Sequence, residues 1–526
     1  MSTVELVLAV FATVDLCVTR GLFLIEEYKS IKNVSIDYDE RVVAIEATWT
    51  RVSQQLTLLK SIWYELNEEY RSLQERIIPI LARKLENATS NLSKIHQKHN
   101  SQKAVIHGAI ARSRFVLFVN RSLNEAILDL QNWQGNFDPS WYLITRHIQN
   151  QSIDNALAKA SSQTVGASPF TTAYRIRVIL QEGEIQHIPI LPSHEVLPAA
   201  RRSVIRFTQF QQVNNLTITS LPCILDIFPF IPHVDPEELA PNVQSLASRL
   251  QSLDPFEFHV LKCRGVLKAD DIQPDKTATP WTFIFDMPGA LRNPRSLREH
   301  LLFPDVWRSL TDKLRMAKQL AISVSSVHSL GFVHKDIRPE TILVFGDGIF
   351  PLRELFLGGF EAFRPAGGGS QRYGDLDWAR NLYRHPDRQW LYHRADFIMQ
   401  HDIYSLGICL LEIGLGESFV DYEDTENDDS GAGGGHVSPS SRCLKTKHLY
   451  TANRYFISLA QEQLPRHMGD IYARIVVSCL TCTDPENEDF GDERQCRDQN
   501  GVLIGVAYIE KVISALNLAV LTSSPP

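Results

Sequence analysis

Apolar residues recur at alternating steps of four and three residues in the first part of the chain. The run continues without a miss through Ile45, Trp49, Val52, Leu56, Leu59, Trp63, Leu66, Tyr70, Leu73, Ile77 and Ile80. This spacing places the side chains along one side of an α-helix, as in a coiled coil or a helical bundle. Pro79, near the end of the run, is expected to kink or stop this helix.

A second run with similar spacing follows at Val116, Val119, Leu123, Ala126, Leu130 and Trp133. An apolar segment near the start of the chain, Leu6–Val14, adds a third helix. Each apolar side needs a partner, and the other helices are the most economical partners. We therefore predict a helical bundle over residues 1–135, with rod-like dimerisation through the first run as the alternative.

The apolar first helix predicts neither an ordinary transmembrane segment nor a signal peptide. A spanning helix needs about 20 apolar residues, whereas Glu5 precedes this segment and Asp15 and Arg20 interrupt it. The segment also lacks the basic start and the small-residue cleavage site of a signal peptide.

From about residue 164 the pattern changes to short runs that are typical of strands. These runs are Tyr174–Leu180, Ser203–Phe207, His259–Leu261 and Trp281–Phe285. One helix is predicted among them at about 243–253, and mainly helices follow from Trp307 onwards. The predicted fold class is α+β multidomain, with residues 136–164 as a brace helix or linker that begins near Asp138.

Composition and charge exclude some classes of function. A net charge of −8 and a pI near 6.1 argue against a dedicated nucleic-acid surface. The cysteines are dispersed, and only Cys479 and Cys482 form a C-x-x-C pair, so we interpret them as reduced cytoplasmic thiols and expect no metal site. Residues 417–441 are acidic and rich in Gly and Ser, which predicts a mobile insertion.

Candidate catalytic residues concentrate in the stretch Phe332–Val344, between a helix-like and a strand-like run. It contains His334, Lys335 and Asp336. The stretch resembles the catalytic loop of protein kinases, in which His-Arg-Asp is followed by a magnesium-binding Asn. Lys335 replaces the Arg of that motif, and Thr341 replaces the Asn.

Three further matches follow in the order that protein kinases have. Leu357–Glu361 resembles the Asp-Phe-Gly segment, with Gly359 in place of the metal-binding Asp and Phe360 in place of the Phe. Leu382–Asp387 is similar to the Ala-Pro-Glu segment. Asp402–Gly407 is similar to the start of the central helix of the large kinase lobe.

The resemblance implies a bilobal, protein-kinase-like fold over residues 165–520, with a small lobe at about 165–290 and a large lobe at about 291–520. In such a fold the residues at positions His334 and Phe360 pack the lobe. The buried carboxylate at position Asp402 holds the backbone of the catalytic loop. The alternative is an unrelated mixed domain with scattered matches.

The same resemblance argues against phosphoryl transfer, which needs a phosphate cradle, a lysine, magnesium ligands and a base. No G-x-G-x-x-G occurs in residues 160–265, and no lysine occurs between Lys159 and Lys262. The third strand, predicted at Ser203–Phe207, therefore lacks the nucleotide lysine. Lys262 is a rival for that role, but we interpret it as an exposed lysine on a later strand.

Both metal-binding positions of the kinase pattern are altered, since magnesium prefers anionic oxygen ligands. Thr341 offers a neutral hydroxyl, and Gly359 offers no side chain. Asp336 is therefore interpreted as a retained catalytic-loop residue without activity. No cofactor is expected, apart from weak binding of ATP without magnesium, and an active serine/threonine kinase remains an alternative.

The N-terminal region resembles the HeLo and HeLo-like helical bundles of filamentous fungi. It is also similar to the four-helix bundle of mixed-lineage-kinase-domain-like necroptosis executioners. In those families the first helix contributes to membrane permeabilisation or oligomerisation, a role that would fall on about Val4–Ile25 here. The alternative is a first helix that is buried in the bundle core.

The two resemblances together predict a catalytically degenerate, kinase-like signalling protein whose bundle is a regulated membrane-targeting or cell-death effector. A non-catalytic protein-interaction scaffold is a second alternative. The expected partners are an upstream signalling protein, further copies of the chain on activation and membrane lipid, but not nucleic acid. The expected location is the cytoplasm, with membrane association on activation. Ser370 and Tyr373 are candidate regulatory phosphorylation sites.

Overall fold

The computed structural model of the chain divides into two compact units, residues 1–177 and 178–525. It describes residues 3–30, 36–65, 68–103, 151–162, 171, 174–178, 191–196, 205–214, 217–227, 236–268, 281–289, 291–292, 294–302, 309–346, 354–365, 377–389, 396–422, 437–440, 449–487, 489–490, 512–513, 515–516 and 519.

The first unit is helical in its described part. Its helices are α1 (Thr3–Ser30), α2 (Ile36–Ile62), α3 (Glu68–Lys103) and α4 (Gln151–Ser162), with a 3₁₀ turn at Trp63–Glu65. Helix α1 packs against both α2 and α3. The core between them consists mainly of Val14, Cys17, Leu24 and Tyr28 of α1, Ile45, Trp49, Val52, Leu56 and Leu59 of α2, and Ile78, Leu81 and Leu85 of α3.

The prediction of one helix through the whole first apolar run is wrong. Helix α2 ends at Ile62, and α3 begins at Glu68 after the 3₁₀ turn. The run is buried from Ile45 to Trp63, but Ile80 is 43% exposed, and Pro79 lies inside α3 without ending it. Apolar spacing identifies the buried side of a helix. It does not reveal a turn after which the same spacing continues on another helix.

Two expectations about residues 104–150 lie outside the described residues, namely the second apolar run and the helix start near Asp138.

The end of the first unit also differs from the prediction. Residues 174–178 are helical instead of forming a strand. Arg177 forms an ion pair with Asp154 of α4, and Tyr174 packs against the same core in which Leu157 of α4 is fully buried. Helix α4 therefore belongs to the bundle, and the boundary between the units lies after residue 177 instead of residue 164.

The second unit has mixed α and β structure. It begins with a five-stranded antiparallel sheet in the order β1-β2-β3-β5-β4. The strands are β1 (Leu191–Val196), β2 (Ile205–Asn214), β3 (Thr217–Ile227), β4 (Cys263–Lys268) and β5 (Trp281–Asp286). Helices α5 (Pro236–Gln251) and α6 (Pro255–Phe258) lie between β3 and β4 in the chain.

Several elements predicted for this part of the chain are confirmed, with shifted bounds. The predicted helix at 243–253 is α5, and the strand at Trp281–Phe285 is β5. The run Ser203–Phe207 contains only the start of β2. Of His259–Leu261, only Val260 takes part in a β-bridge, with Leu357.

The remainder of the second unit is mainly helical in its described part. Its helices are α7 (Leu297–Leu302), α8 (Leu310–Ser329), α9 (Trp378–Tyr383), α10 (Met399–Leu415), α11 (Leu449–Glu462), α12 (Leu464–Met468) and α13 (Asp470–Leu480). The small strands are β6 (Arg295–Ser296), β7 (Phe332–Val333), β8 (Ile342–Phe345), β9 (Glu354–Leu357), β10 (Arg364–Pro365), β11 (Val420–Tyr422) and β12 (Val437–Pro439). Strand β8 joins β6 to β9, and β7 pairs with β10.

The predicted insertion at 417–441 is ordered at both ends. Strand β11 pairs with β12 in an antiparallel hairpin, and Phe419 and Val420 are fully buried. Apolar burial fixes these ends although the composition of the stretch is acidic and Gly-rich. Residues 423–436 lie outside the described part.

Helix α10 is buried along its whole length, Met399–Leu415. Gly416 ends the helix in the left-handed conformation, with φ of 74°. Because buried polar groups need partners, the carboxylates of Asp402 and Glu412 in this helix must be hydrogen-bonded. Their partners build the region described below.

Gly21 is predicted to be essential for the packing of α1 on α2. A Cβ atom at Gly21 would lie 2.0 Å from Cζ2 of Trp49, far inside contact distance. Gly21→Val should therefore lower the free energy of unfolding of the first unit by about 1–3 kcal/mol or more. Chemical denaturation followed by Trp fluorescence measures this change.

The matched control is Thr19→Val, which introduces the same side chain at an exposed position of the same helix. It should change stability by no more than about 0.5 kcal/mol. Equal effects of the two variants would contradict the packing described for Gly21 and Trp49.

Candidate functional site

The loop His334–Thr341 is held by one buried carboxylate. Asp402 of α10 is fully buried, and its Oδ2 and Oδ1 accept the backbone N–H groups of His334 and Lys335 at 2.8 and 2.9 Å. His328 of α8 places Nε2 2.9 Å from the same Oδ2. Lys335 has φ of 70°, a left-handed conformation that is costly for a residue with a side chain. The carboxylate thus stabilises a bend that the loop would not adopt alone.

His334 joins this loop to the turn after β9. Its Nδ1 accepts the N–H of Asp336 at 3.3 Å, so Nε2 carries the proton and donates to the carbonyl of Gly358 at 3.0 Å. Burial lowers the pKa of His334, which keeps the ring neutral. The ring also packs against Phe360, with centroids 5.0 Å apart.

Phe360 joins the turn to the five-stranded sheet. Its ring is fully buried and contacts Phe283 and Phe285 of β5 at centroid distances of 6.2 and 6.1 Å. Its backbone N–H donates to Oδ2 of Asp226 on β3 at 2.6 Å. Asp226 is 1% exposed, so a buried carboxylate of the third strand faces this turn.

Sequence reasoning did not find Asp226, because it placed the third strand at Ser203–Phe207. Among the described strands, Thr217–Ile227 is the third, and it carries the buried carboxylate of Asp226. The signal in the sequence was a single acidic residue in the apolar run Cys223–Ile227. Lys262 is exposed, as predicted, but it directly precedes β4 instead of lying on a strand.

The carboxylate of Asp336 already accepts hydrogen bonds from an arginine. Both of its oxygens lie 3.1 Å from Nε of Arg338, and Nη2 of Arg380 is 3.8 Å away. Burial opposes ionisation of this carboxyl, but Arg338, Arg380 and Arg384 outweigh it and lower the pKa to about 2. A carboxylate held this firmly by arginine is a weak proton acceptor at neutral pH.

The side chain of Thr341 occupies the space that any side chain at position 359 would need. The hydroxyl of Thr341 lies 2.9 Å from the carbonyl oxygens of Asp336 and Arg338, so the loop itself uses it. Gly359 has φ of 75°, and a Cβ atom there would lie 2.4 Å from Cγ2 and 2.6 Å from Cβ of Thr341. Neither position presents a metal ligand, and no side chain fits at 359 while Thr341 is present.

A buried ionic network joins the loop to the neighbouring helices, and it was not predicted from the sequence. Arg298 of α7 is fully buried and bonds Glu340 through Nε at 2.9 Å and Glu412 through Nη1 at 3.0 Å. The Tyr383 hydroxyl donates to Glu412 at 2.9 Å. Burial raises the pKa of Glu340, but Arg298 and Arg338 outweigh it and bring it to about 2. The network ties α7, the loop, α9 and α10 together.

Lys335 lies among cations. Burial, followed by Arg364, Arg388 and Arg384, lowers its pKa to about 8. Its Nζ lies 5.8 Å from the ring centroid of Phe397, over the same ring as the Arg388 guanidinium. The regulatory candidates Ser370 and Tyr373 lie outside the described residues.

Within the described ranges, no group of three His, Cys, Asp or Glu side chains is arranged to hold a metal ion. The six described cysteines are buried and free of disulfides. Among them, Cys482 donates to the carbonyl of Gln400 at 3.2 Å. The C-x-x-C pair is therefore part of the core between α10 and α13.

No protein-family model matches the chain, and no curated protein matches it in a sequence search. The region around Asp402 is therefore interpreted from its own geometry.

Asp402→Ala is predicted to destabilise the second unit more than Asp336→Ala. The first substitution leaves the buried His328 and His334 and the partly buried N–H of Lys335 without this acceptor, at a cost on the order of 3 kcal/mol or more. After the second, Arg338 keeps Glu340 at 3.4 Å, and the Arg380 side chain is 25% exposed. Urea denaturation of both variants measures the difference, and the reverse ranking would contradict the anchoring role of Asp402.

The exclusion between Thr341 and Gly359 predicts strong coupling in a double-mutant cycle. Gly359→Ala should cost about 1–2 kcal/mol for the left-handed backbone and a further 1–3 kcal/mol for the clash, both roughly estimated. In the Thr341→Gly background only the backbone cost should remain. Additive effects within about 0.5 kcal/mol would show that the two residues do not interfere.

Proposed function

We propose that the chain is a signalling protein with a kinase-like second unit that does not transfer phosphate. Its helical first unit would act as a membrane-targeting or cell-death effector under the control of the second. The proposal rests on the contacts that join the loop to the turn. Asp402 and Thr341 bond the loop backbone, and His334 bonds the turn and packs against Phe360. Gly359 of the turn is crowded by Thr341.

The architecture of the second unit is consistent with a kinase-like fold. A five-stranded antiparallel sheet with a long helix between its third and fourth strands precedes a mainly helical region. This order fits the small and large lobes that the motif resemblance implies. The contact of Asp402 with the loop backbone is the one that the resemblance leads us to expect.

The charges of the site support a non-catalytic role. Phosphoryl transfer depends on cations that neutralise the phosphates and on a positioned base. Asp226 is a buried carboxylate on β3 that would repel phosphate, and α5 has no acidic residue after Glu238. Asp336 is bound to Arg338, and positions 341 and 359 carry no metal ligand.

The first helix supports a role at membranes. Residues Val7–Ser30 are long and apolar enough to cross a membrane, with a mean hydropathy of 1.9, although a core helix or a signal sequence would also pass this test. Much of this apolar surface is exposed on the folded bundle, at Leu8, Leu16, Leu22 and Phe23. We propose that the kinase-like unit restrains the bundle until an upstream protein shifts the population, and that activated copies assemble with one another at the membrane.

The full-length protein is predicted not to transfer phosphate from radiolabelled ATP to itself or to a generic substrate. Incorporation should equal that of the Asp336→Ala control, because Asp336 is held by arginine and no metal ligand stands at 341 or 359. Calorimetric titration should show nucleotide binding that is weak and independent of magnesium. Tight, magnesium-dependent binding, or transfer abolished by Asp336→Ala, would replace the proposal with an active kinase.

A further inference from the structure

One face of α1 is an exposed apolar stripe. It consists of the apolar residues Leu8, Ala12, Leu16 and Phe23 together with Thr19, whose hydroxyl donates to the carbonyl of Asp15. These residues follow at steps of four, four, three and four. Leu8, Leu16 and Phe23 are 62%, 43% and 47% exposed. The opposite face, including Val14 and Cys17, forms the bundle core, so the stripe is apolar surface beyond what bundle packing requires.

Two charged residues that border this stripe, Asp15 and Arg20, are paired. Asp15 lies 2.7 Å from Nζ of Lys60 on α2. On the other border, Arg20 donates to Glu86 on α3 at 3.2 Å and to the carbonyl of Ala82 at 3.1 Å. Each pair also joins α1 to a neighbouring helix. The stripe therefore has no excess of positive charge on either border.

The small size of the stripe favours a lipid surface over a protein partner. Stable protein interfaces use about 20–30 residues on each side, whereas this stripe has one residue per turn of a single helix. An exposed apolar helix face suits a lipid surface, into which such a face sinks by about 5–10 Å. Attraction to anionic lipid contributes about 1 kcal/mol for each Lys or Arg near the surface, and both cations here are already paired.

We propose that the α1 stripe docks the folded bundle on the surface of uncharged phospholipid by apolar contact, without any need for anionic lipid. Helix α1 stays packed on α2 and α3 in this state, and its two ion pairs stay closed. This inference rests on the proposed membrane function and names the ligand of its first step.

The test is co-sedimentation of the full chain with two kinds of vesicle, phosphatidylcholine alone and phosphatidylcholine mixed with phosphatidylserine. The affinities should agree within about twofold and should not fall at high salt, because apolar contact does not depend on the electrostatic attraction that salt screens. Leu8→Gln combined with Phe23→Gln should lower the affinity at least about tenfold, since each buried side chain contributes more than a tenfold factor.

The matched control is Val43→Gln combined with Ile80→Gln. These residues are 64% and 43% exposed on α2 and α3, close to the exposure of Leu8 and Phe23, but they lie off the stripe. The control should bind vesicles like the native chain. Circular dichroism and thermal melts of both double variants verify that the bundle remains folded.

The contrary outcomes are distinguishable. If the native chain binds but the Leu8/Phe23 variant binds equally well, lipid does not bind at the stripe, and the proposed membrane function stands. Binding that requires phosphatidylserine and falls with salt would likewise overturn only the charge independence. If the native chain binds neither vesicle, the proposed membrane function fails as well. A dimer that becomes monomeric in the Leu8/Phe23 variant would make the stripe a contact between copies.

Discussion

The second unit depends on one carboxylate that is cut off from water. Asp402 can remain buried because its oxygens accept from the backbone of His334 and Lys335 and from His328. These bonds fix the loop against α8 and α10, and the loop in turn fixes the turn at Gly358 through His334. Without the carboxylate, the left-handed Lys335 would have no compensation.

The polar side chains of the candidate site are directed at one another. The Asp336 carboxylate, the Thr341 hydroxyl and the imidazole of His334 each have a partner inside the same few residues. Catalysis needs groups that are positioned but still available to substrate. An arrangement that uses its own donors and acceptors favours rigidity over contact with a substrate.

The sequence predicted the mixed fold, the helical start of the chain and the contact of Asp402 with the loop. It did not predict the end of α2 at Ile62, because apolar spacing continues across the turn. Asp226 and Arg298 were missed for a different reason. Asp226 bonds Phe360, 134 residues away, and Arg298 bonds Glu340 and Glu412, 42 and 114 residues away. No local sequence pattern indicates a pairing that is made only by the fold.

The crowding of Gly359 by Thr341 couples the variation of these two positions. A side chain introduced at 359 meets Thr341, and a change at 341 alone places nothing at 359. A side chain at 359 therefore requires both substitutions together, since 359 alone cannot be enlarged without strain. The residue at one position thus limits what the other can become, so related sequences are expected to exchange the two positions only as a pair.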